Sequence, residues 1–235
     1  MWKELLYPPR CLLCGQLVGL DSRLPLCKRC RPQIYLPQEP RCPICSRPVS
    51  AEGERCESCI RHDCTICGHG TFLYQDGMRE SIEQFKYAGM KEYAKGYAAL
   101  MAHFDGAWAE GWENPFLVPV PIHKRRYQER GYNQAAELAE ALSVRMGLPV
   151  WEGLVRMRNT APLQQMSAVQ RRRSLKGAFG ILDEGSWLRG TAILIDDIYT
   201  SGSTVEACAR AMRQRRPEQR VVFWTLSIRA ELTGI

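Results

Sequence analysis

Two adjacent carboxylates and a small-residue turn lie close together in the stretch Ile193-Leu-Ile-Asp-Asp-Ile-Tyr-Thr-Ser-Gly-Ser-Thr204. Asp196 and Asp197 can bind ribose hydroxyls or Mg²⁺, because carboxylate oxygens are ligands that this ion prefers. The turn that follows offers backbone N–H groups and hydroxyls to a phosphate, and a helix beginning there adds its positive end; its residues are Thr200, Ser201, Gly202, Ser203 and Thr204. The combination predicts a site for a phosphorylated sugar.

The elements on either side of the acidic pair fit that interpretation. Residues 192–195 form a short apolar run, which is typical of a strand buried on both faces, and we expect the strand to end at the two carboxylates. Helical spacing follows the turn, at Val205, Cys208, Ala209 and Met212. The alternative is a buried strand whose Asp residues only cap a turn and a helix. No G-x-x-x-x-G-K loop is present, which argues against a nucleotide triphosphatase.

Strand-like and helix-like segments alternate through the rest of residues 71–235. We expect strands at 71–74, 116–122 and 220–228, and helices at 78–87, 93–104 and 133–146. This order predicts an α/β domain with a parallel sheet flanked by helices. A basic segment follows the second strand and is placed to bind an anion such as pyrophosphate, although a solvated loop is the alternative; its cations are Lys124, Arg125, Arg126 and Arg130.

Positive charge is concentrated in the middle of the 235-residue chain. Residues 118–176 contain 11 Lys or Arg against four acids, which equals the formal net charge of +7 of the whole chain. This distribution indicates an anionic partner, either phosphates of a small ligand or a nucleic-acid backbone. The polar segment 156–179 is interpreted as a lid over a diphosphate or as a track for nucleic acid, and its candidate cations are Arg156, Arg158, Arg171, Arg172, Arg173 and Lys176.

Ten of the 11 cysteines form five C-x-x-C pairs within residues 11–67. Pairs at this spacing suit tetrahedral thiolate ligation of zinc. We expect one structural zinc ion on Cys11, Cys14, Cys27 and Cys30, and a second on Cys42, Cys45, Cys56 and Cys59. A cross-braced arrangement, with the first pair joined to the third, is the alternative. We therefore expect a small cysteine-rich module at 1–70 and an α/β domain at 71–235.

The fifth pair, Cys64 and Cys67, has no partner pair. It can join His62 or His69 on a metal, replace one of the other pairs, or form a turn that binds nothing. No apolar run approaches the roughly 18 residues that span a membrane, and residues 1–11 have no long apolar segment or cleavage site, so neither a membrane span nor a signal peptide is expected.

Taken in order, these motifs resemble the ComF family of bacterial late-competence proteins, in its ComFC/GntX-like branch. The resemblance covers nearly the whole chain and is carried by the cysteine pairs, Phe85-Lys86-Tyr87, Pro119-Val-Pro121, Arg130-Gly-Tyr-Asn-Gln134, the 156–179 segment and the Asp-Asp stretch. That stretch is by itself similar to the phosphoribosyl-pyrophosphate (PRPP) signature of type I phosphoribosyltransferases.

The resemblance implies a type I phosphoribosyltransferase-like sheet behind a zinc-binding module. It implies that Asp196 and Asp197 are the catalytic pair and contact ribose and Mg²⁺. Residues 200–204 would bind the 5-phosphate, and residues 124–126 with Arg130 would bind pyrophosphate or DNA. It further implies a cytoplasmic protein, peripheral to the inner membrane, that handles incoming single-stranded DNA with other competence proteins.

Three hypotheses remain open from the sequence. The favoured one is a PRPP-binding protein of DNA uptake. The second is an active phosphoribosyltransferase of salvage with an unknown acceptor. The third is a DNA-binding scaffold without a ligand, which the complete acidic pair and turn argue against.

Overall fold

The computed structural model describes residues 10–19, 22, 24–158, 175, 177–182 and 188–230. Six strands lie in this part of the chain: β1 (Gly68–Leu73), β2 (Phe116–Pro119), β3 (Leu154–Arg156), β4 (Phe179–Ile181), β5 (Ala192–Tyr199) and β6 (Val221–Ile228). The α-helices of the same part are α1 (Glu57–Arg61), α2 (Asp76–Tyr87), α3 (Tyr93–Glu110), α4 (Lys124–Arg130), α5 (Gln134–Met146) and α6 (Ser203–Arg215).

Four of the strands form one parallel sheet in the order β1-β6-β5-β2. Alternate residues of β5 are buried on opposite faces: Ile193 and Ile195 join one apolar core, and Ala192 and Leu194 join the other. This is the pattern expected of a strand covered on both sides. It explains why residues 192–195 read as a continuous apolar run.

Helices cover both faces of the sheet. Apolar side chains of α2, α3 and α5 fill the first core, and those of α6 fill the second together with the antiparallel pair β3–β4. Helix α5 begins at the capping side chain of Asn133 and ends at Gly147, which adopts φ +71°. The expected α/β class, a parallel sheet flanked by helices, is confirmed.

The cysteine-rich segment packs directly on the sheet domain and supplies part of each core. Residues 10–36 cover the first core, where the Ser81 hydroxyl donates to the Leu12 carbonyl at 2.6 Å. Residues 41–67 cover the second, where the Gly68 N–H donates to the Ile44 carbonyl at 2.8 Å. The two halves of the segment therefore pack on opposite sides of one sheet.

Three strand boundaries differ from the sequence expectations. Strand β1 begins at Gly68 rather than residue 71, because it pairs with β6 from that residue onward. Strand β2 ends at Pro119 rather than residue 122, since the prolines of this segment cannot donate to a ladder. Strand β5 runs on to Tyr199, so the two carboxylates lie within the strand and not at its end.

None of the helices in the described ranges has both the length and the apolar character that a membrane crossing requires.

Candidate phosphoribosyl site

A cleft of about 510 Å³ opens where β5 extends beyond its neighbour β2. The last paired residues are Pro119 and Ile195, after which the Val120 N–H still donates to the Ile195 carbonyl at 2.9 Å. Beyond that point β5 continues alone on this side, while the chain from Pro121 turns away into α4. The unequal strand lengths thus leave Asp196 and Asp197 facing an open space.

The acidic pair lines this cleft, and each carboxylate faces a cation. Asp197 forms an ion pair with Lys86 at the end of α2, with Oδ2 and Nζ 2.9 Å apart and both side chains largely buried (12% and 16% exposed). Asp196 lies near Arg156 of β3 and accepts a hydrogen bond from the Asp197 N–H at 2.9 Å. In the sequence, Lys86 stands out only as part of the Phe85-Lys86-Tyr87 motif, and nothing there indicates its partner.

Burial and the Asp197 charge raise the pKa of Asp196 to about 7, well above its ordinary value. The pKa of Lys86 also lies above its ordinary value: burial opposes the charged ammonium, but the two carboxylates more than compensate. Without a ligand, Asp196 is therefore only partly ionised near neutral pH. A cation bound at the pair would favour its ionised form.

We expect Asp196→Asn to stabilise the ligand-free protein increasingly as pH rises. The folded pKa lies above the unfolded one, so stability contributed by the neutral carboxyl is present at low pH and is lost as pH rises through about 7. The gain from Asn should grow by about 1.4 kcal/mol between pH 6 and pH 8.5. Urea unfolding at the two pH values measures it, with Glu140→Gln on an exposed helix position as the control. Equal gains at both pH values would contradict the shifted pKa.

Three arginines line the cleft around the acidic pair: Arg126 and Arg130 from α4 and Arg156 from β3. Burial, and then the neighbouring Arg126 charge, lower the pKa of Arg156. Two cations that repel one another at the wall of a cleft favour a bound anion between them. Of the four basic residues predicted in this segment, Lys124 and Arg125 do not line the cleft, and Arg125 pairs instead with Glu129 at 3.0 Å.

The segment Arg130-Gly-Tyr-Asn-Gln134 joins α4 to α5 and fixes one wall of the cleft. Gly131 ends α4 with φ +78°, and Asn133 begins α5 while its amide donates to the Val120 carbonyl at 3.1 Å. The buried Tyr132 hydroxyl donates to the Phe85 carbonyl, next to Lys86. Arg130 donates to Gln134 at 2.9 Å. The residues thus tie the cationic wall to the end of α2.

Arg130 also contacts Tyr87, an aromatic residue that is largely exposed at the mouth of the cleft. The guanidinium lies 4.9 Å from the ring centroid and donates to the hydroxyl at 3.2 Å. His123 caps α4, where its side chain accepts from the Arg125 N–H at 3.2 Å. The segment after β2 is therefore a short helix rather than the expected loop.

The turn of residues 200–204, hereafter the 200–204 turn, divides its side chains between two surfaces. Thr200 and Thr204 line the cleft. Ser201 and Ser203 are buried on the opposite side, where their hydroxyls lie 3.0 Å apart. Gly202 begins α6 with φ +73°, a conformation that favours glycine. The first N–H groups of the 13-residue α6 follow this turn, at the edge of the cleft.

Among the nucleic-acid candidates, Arg156 lies within the cleft and Arg158 is exposed two residues further on. Arg171, Arg172, Arg173 and Lys176 lie outside the described residues, as does most of the 156–179 segment.

Eight cysteines form the two groups of four that the sequence predicts. Within each group the sulfurs all lie within 4.8 Å of one another, which fits tetrahedral coordination of one zinc ion by four thiolates. The first cluster consists of Cys11, Cys14, Cys27 and Cys30, and the second cluster of Cys42, Cys45, Cys56 and Cys59. Sequential pairs share each cluster, so the arrangement is not cross-braced.

The fifth pair belongs to neither cluster, although Cys64 lies against the second, where its N–H donates to the Cys59 carbonyl at 3.0 Å. The buried Cys64 thiol donates to the Ser201 carbonyl at 3.5 Å, and the Cys67 carbonyl accepts from the Phe223 N–H at 3.1 Å. Within the described residues, neither cysteine belongs to a group with metal-binding geometry.

Comparison with known proteins finds a zinc ribbon near the start of the chain. The family described as "Double zinc ribbon domain" matches residues 2–60. The chain is 29% identical over 210 residues to "Competence protein ComFC" of Bacillus subtilis, covering 86% of this chain and 83% of that protein. It is 27% identical over 228 residues to "Competence protein F" of Haemophilus influenzae, with coverages of 93% and 96%.

The chain is also similar to a DNA utilization protein and, in fold, to a solved phosphoribosyltransferase structure. "DNA utilization protein YhgH" of Salmonella typhimurium is 28% identical over 221 residues, covering 86% of this chain and 96% of that protein. A hypoxanthine phosphoribosyltransferase structure from Staphylococcus aureus aligns with a TM-score of 0.34 and 12% identity, over 60% of this chain and 75% of that one. The relatives match almost end to end, and the zinc ribbon occupies the expected place. The chain is thus similar over most of its length to competence and DNA utilization proteins, and it carries an N-terminal double zinc ribbon whose two cysteine clusters fit structural zinc sites.

Proposed function

We propose that the cleft binds PRPP together with Mg²⁺, in a protein that handles DNA during uptake. One observation carries the proposal: an acidic pair, three arginines and the two threonines of a turn at a helix N-terminus line the same cleft. PRPP presents a pyrophosphate, a ribose with two hydroxyls and a 5-phosphate. Each of these groups has a counterpart among the lining residues.

The acidic pair is assigned to the ribose hydroxyls and to Mg²⁺. Carboxylate oxygens suit this ion. The raised pKa of Asp196 reflects burial and the neighbouring Asp197 charge, and a bound Mg²⁺ would offset both by stabilising the ionised carboxylate. Mg²⁺ would supply charge neutralisation of the pyrophosphate. The ion pair between Lys86 and Asp197 holds the second carboxylate in position.

The remaining groups are assigned by charge and geometry. Arg126, Arg130 and Arg156 supply cations for the pyrophosphate, and the N–H groups at the start of α6 bind the 5-phosphate with the Thr200 and Thr204 hydroxyls. Transfer of the ribosyl group to an acceptor needs the same residues and no covalent nucleophile, because positive charge develops on the carbon as pyrophosphate leaves. Release of pyrophosphate in the presence of candidate acceptors separates a transferase from a protein that only binds PRPP.

DNA handling is proposed from the relatives and from the charge distribution. The names of the related proteins refer to competence and to DNA utilization. Residues 118–176 carry the net positive charge of this chain. Single-stranded DNA is the polyanion that fits this context, and other competence proteins at the inner membrane are the expected partners. Phosphate contacts of this kind weaken steeply with salt.

Arg156 and Arg158 offer a matched test of the two ligands, because one lies in the cleft and the other is exposed beside it. Arg156→Gln should weaken Mg·PRPP binding about tenfold or more, since a charged hydrogen bond contributes about 1.5–3 kcal/mol. Arg158→Gln should leave PRPP binding unchanged and make the slope of log K against log[salt] for single-stranded DNA shallower by about 0.7. Calorimetry and fluorescence anisotropy measure the two affinities.

The opposite pattern would contradict the assignment. PRPP binding that survives in Arg156→Gln, or falls equally in Arg158→Gln, would remove Arg156 from the ligand site. A DNA affinity that does not change with salt would exclude the proposed backbone contacts.

A further inference from the structure

Arg47 of the second zinc ribbon connects a cysteine cluster to the 200–204 turn. The residue is only 2% exposed. Its Nη1 donates to Sγ of the cluster ligand Cys56 at 3.7 Å, and its Nη2 donates to the carbonyl of Thr200. Its Nε donates to the Arg229 carbonyl, just beyond β6, at 2.6 Å. One side chain thus joins a metal ligand, the end of the central sheet and the first residue of the turn.

Residues just after the second cluster contact the turn and the start of α6 at two further places. The Cys64 thiol donates to the Ser201 carbonyl at 3.5 Å, and a Cβ on Gly202 would lie 3.0 Å from that sulfur. The N–H groups of Thr65 and Ile66 donate to Glu206, in the first turn of α6, at 2.5 and 2.9 Å. Residues that follow the second cluster in sequence therefore contact both the turn and the first turn of α6.

The charges in this region explain why the cluster matters to Arg47. Four thiolates and one Zn²⁺ carry a net charge of −2, so a filled second cluster is a buried dianion beside a buried guanidinium. Buried charges of this kind are stable only when they are paired and hydrogen-bonded. An occupied cluster therefore fixes the guanidinium, and the guanidinium fixes the Thr200 carbonyl.

Among the described residues, the first cluster has no such connection to the 200–204 turn. Its segment packs against α2 and α3, where Leu12 contacts Ser81 and lies against Gly96. These contacts are on the opposite face of the sheet from the residues that support the turn.

We propose that the second zinc ribbon is a positioning element of the ligand site, in which Arg47, anchored on the second cluster, holds the 200–204 turn in the form that binds a phosphate monoester. The proposal rests on the proposed PRPP function and adds a dependence of that site on one zinc cluster. It assigns Arg47 a role at a distance from the ligand, because Arg47 does not line the cleft.

Ribose 5-phosphate and Mg·pyrophosphate test the proposal, since the first probe depends on the turn and the second on the arginines and the acidic pair. Arg47→Met should lower the affinity for ribose 5-phosphate about tenfold and leave that for Mg·pyrophosphate within about twofold. Ser81→Ala serves as the control: it removes a buried hydrogen bond beside the first cluster and should lower stability without altering either affinity. NMR titration measures both ligands in the weak range, and zinc analysis confirms two ions per chain in each variant.

Arg47→Lys keeps the buried positive charge and provides a variant that folds if Arg47→Met does not. It loses the planar fork that reaches three acceptors, so we expect a several-fold loss for ribose 5-phosphate alone. Unchanged ribose 5-phosphate affinity in either variant, or an equal loss for both probes, would overturn the inference. Failure of wild-type protein to bind either probe would instead overturn the proposed function.

Discussion

Replacing Asp197 with Asn is expected to lower the free energy of unfolding by about 3 kcal/mol. The change leaves the buried ammonium of Lys86 without the carboxylate 2.9 Å away, and breaking a buried ion pair from one side costs about 3–5 kcal/mol. We expect the low end of this range because Asp196 also faces Lys86 and compensates part of its charge. Urea unfolding at pH 7.5 measures the loss.

The double variant Lys86→Met/Asp197→Asn tests whether the loss comes from an unpaired buried charge. Removing both charges should restore most of the stability, since a buried pair replaced by uncharged groups is often nearly neutral. The exposed pair Lys91–Glu137, with a similar separation of 3.0 Å but half-exposed side chains, is the matched control. Lys91→Met should cost less than about 1 kcal/mol. A small loss in Asp197→Asn, or no recovery in the double variant, would show that the ion pair is not buried as described.

Removing zinc is expected to have the largest effect on the whole fold. Structural zinc sites of this kind contribute on the order of 10–16 kcal/mol each in small zinc-binding peptides. Both halves of the ribbon cover an apolar core here, so loss of either metal exposes buried side chains of the sheet domain. We expect two zinc ions per chain, and a strong chelator should cause a large drop in melting temperature together with exposure of apolar surface.

Single substitutions assign the metals to their clusters. Cys45→Ser should leave one zinc ion per chain and destabilise the protein severely. Cys208→Ala removes a buried thiol of α6 that belongs to neither cluster and should leave two ions bound. Three ions in the wild type, or two in Cys45→Ser, would contradict the pairing and would bring Cys64 and Cys67 into consideration as ligands.

The parts of the fold that follow local rules were predictable from the sequence. The spacing of the cysteine pairs predicted the grouping into two clusters, because two sulfurs of one C-x-x-C turn can face a single ion. The apolar run before Asp196 predicted a fully buried strand, and helical periodicity predicted α2, α5 and α6 to within a few residues. In each of these cases a short stretch of chain determines the outcome.

The features that depend on contacts distant in sequence were not predictable in the same way. The ion pair between Lys86 and Asp197 joins residues 111 positions apart, and Arg47 reaches Thr200 across 153 positions. Nothing in the pattern around either residue indicates the partner. Arg156 was interpreted as part of a lid or of a basic track, and it lies in the wall of the cleft because β3 pairs with β4 beside α6. The cleft itself results from unequal lengths of β2 and β5, which pairing determines.

The central claim is that this cleft binds PRPP with Mg²⁺ through its acidic pair. Calorimetric titration of Mg·PRPP into the wild-type protein and into Asp196→Asn tests it most directly. Because the ligand-free variant should be more stable than the wild type, a loss of binding in this variant cannot be attributed to unfolding. The account predicts one bound PRPP per wild-type chain and an affinity at least tenfold weaker in Asp196→Asn. Wild-type protein that binds no PRPP, or a variant that binds it equally well, would contradict the account.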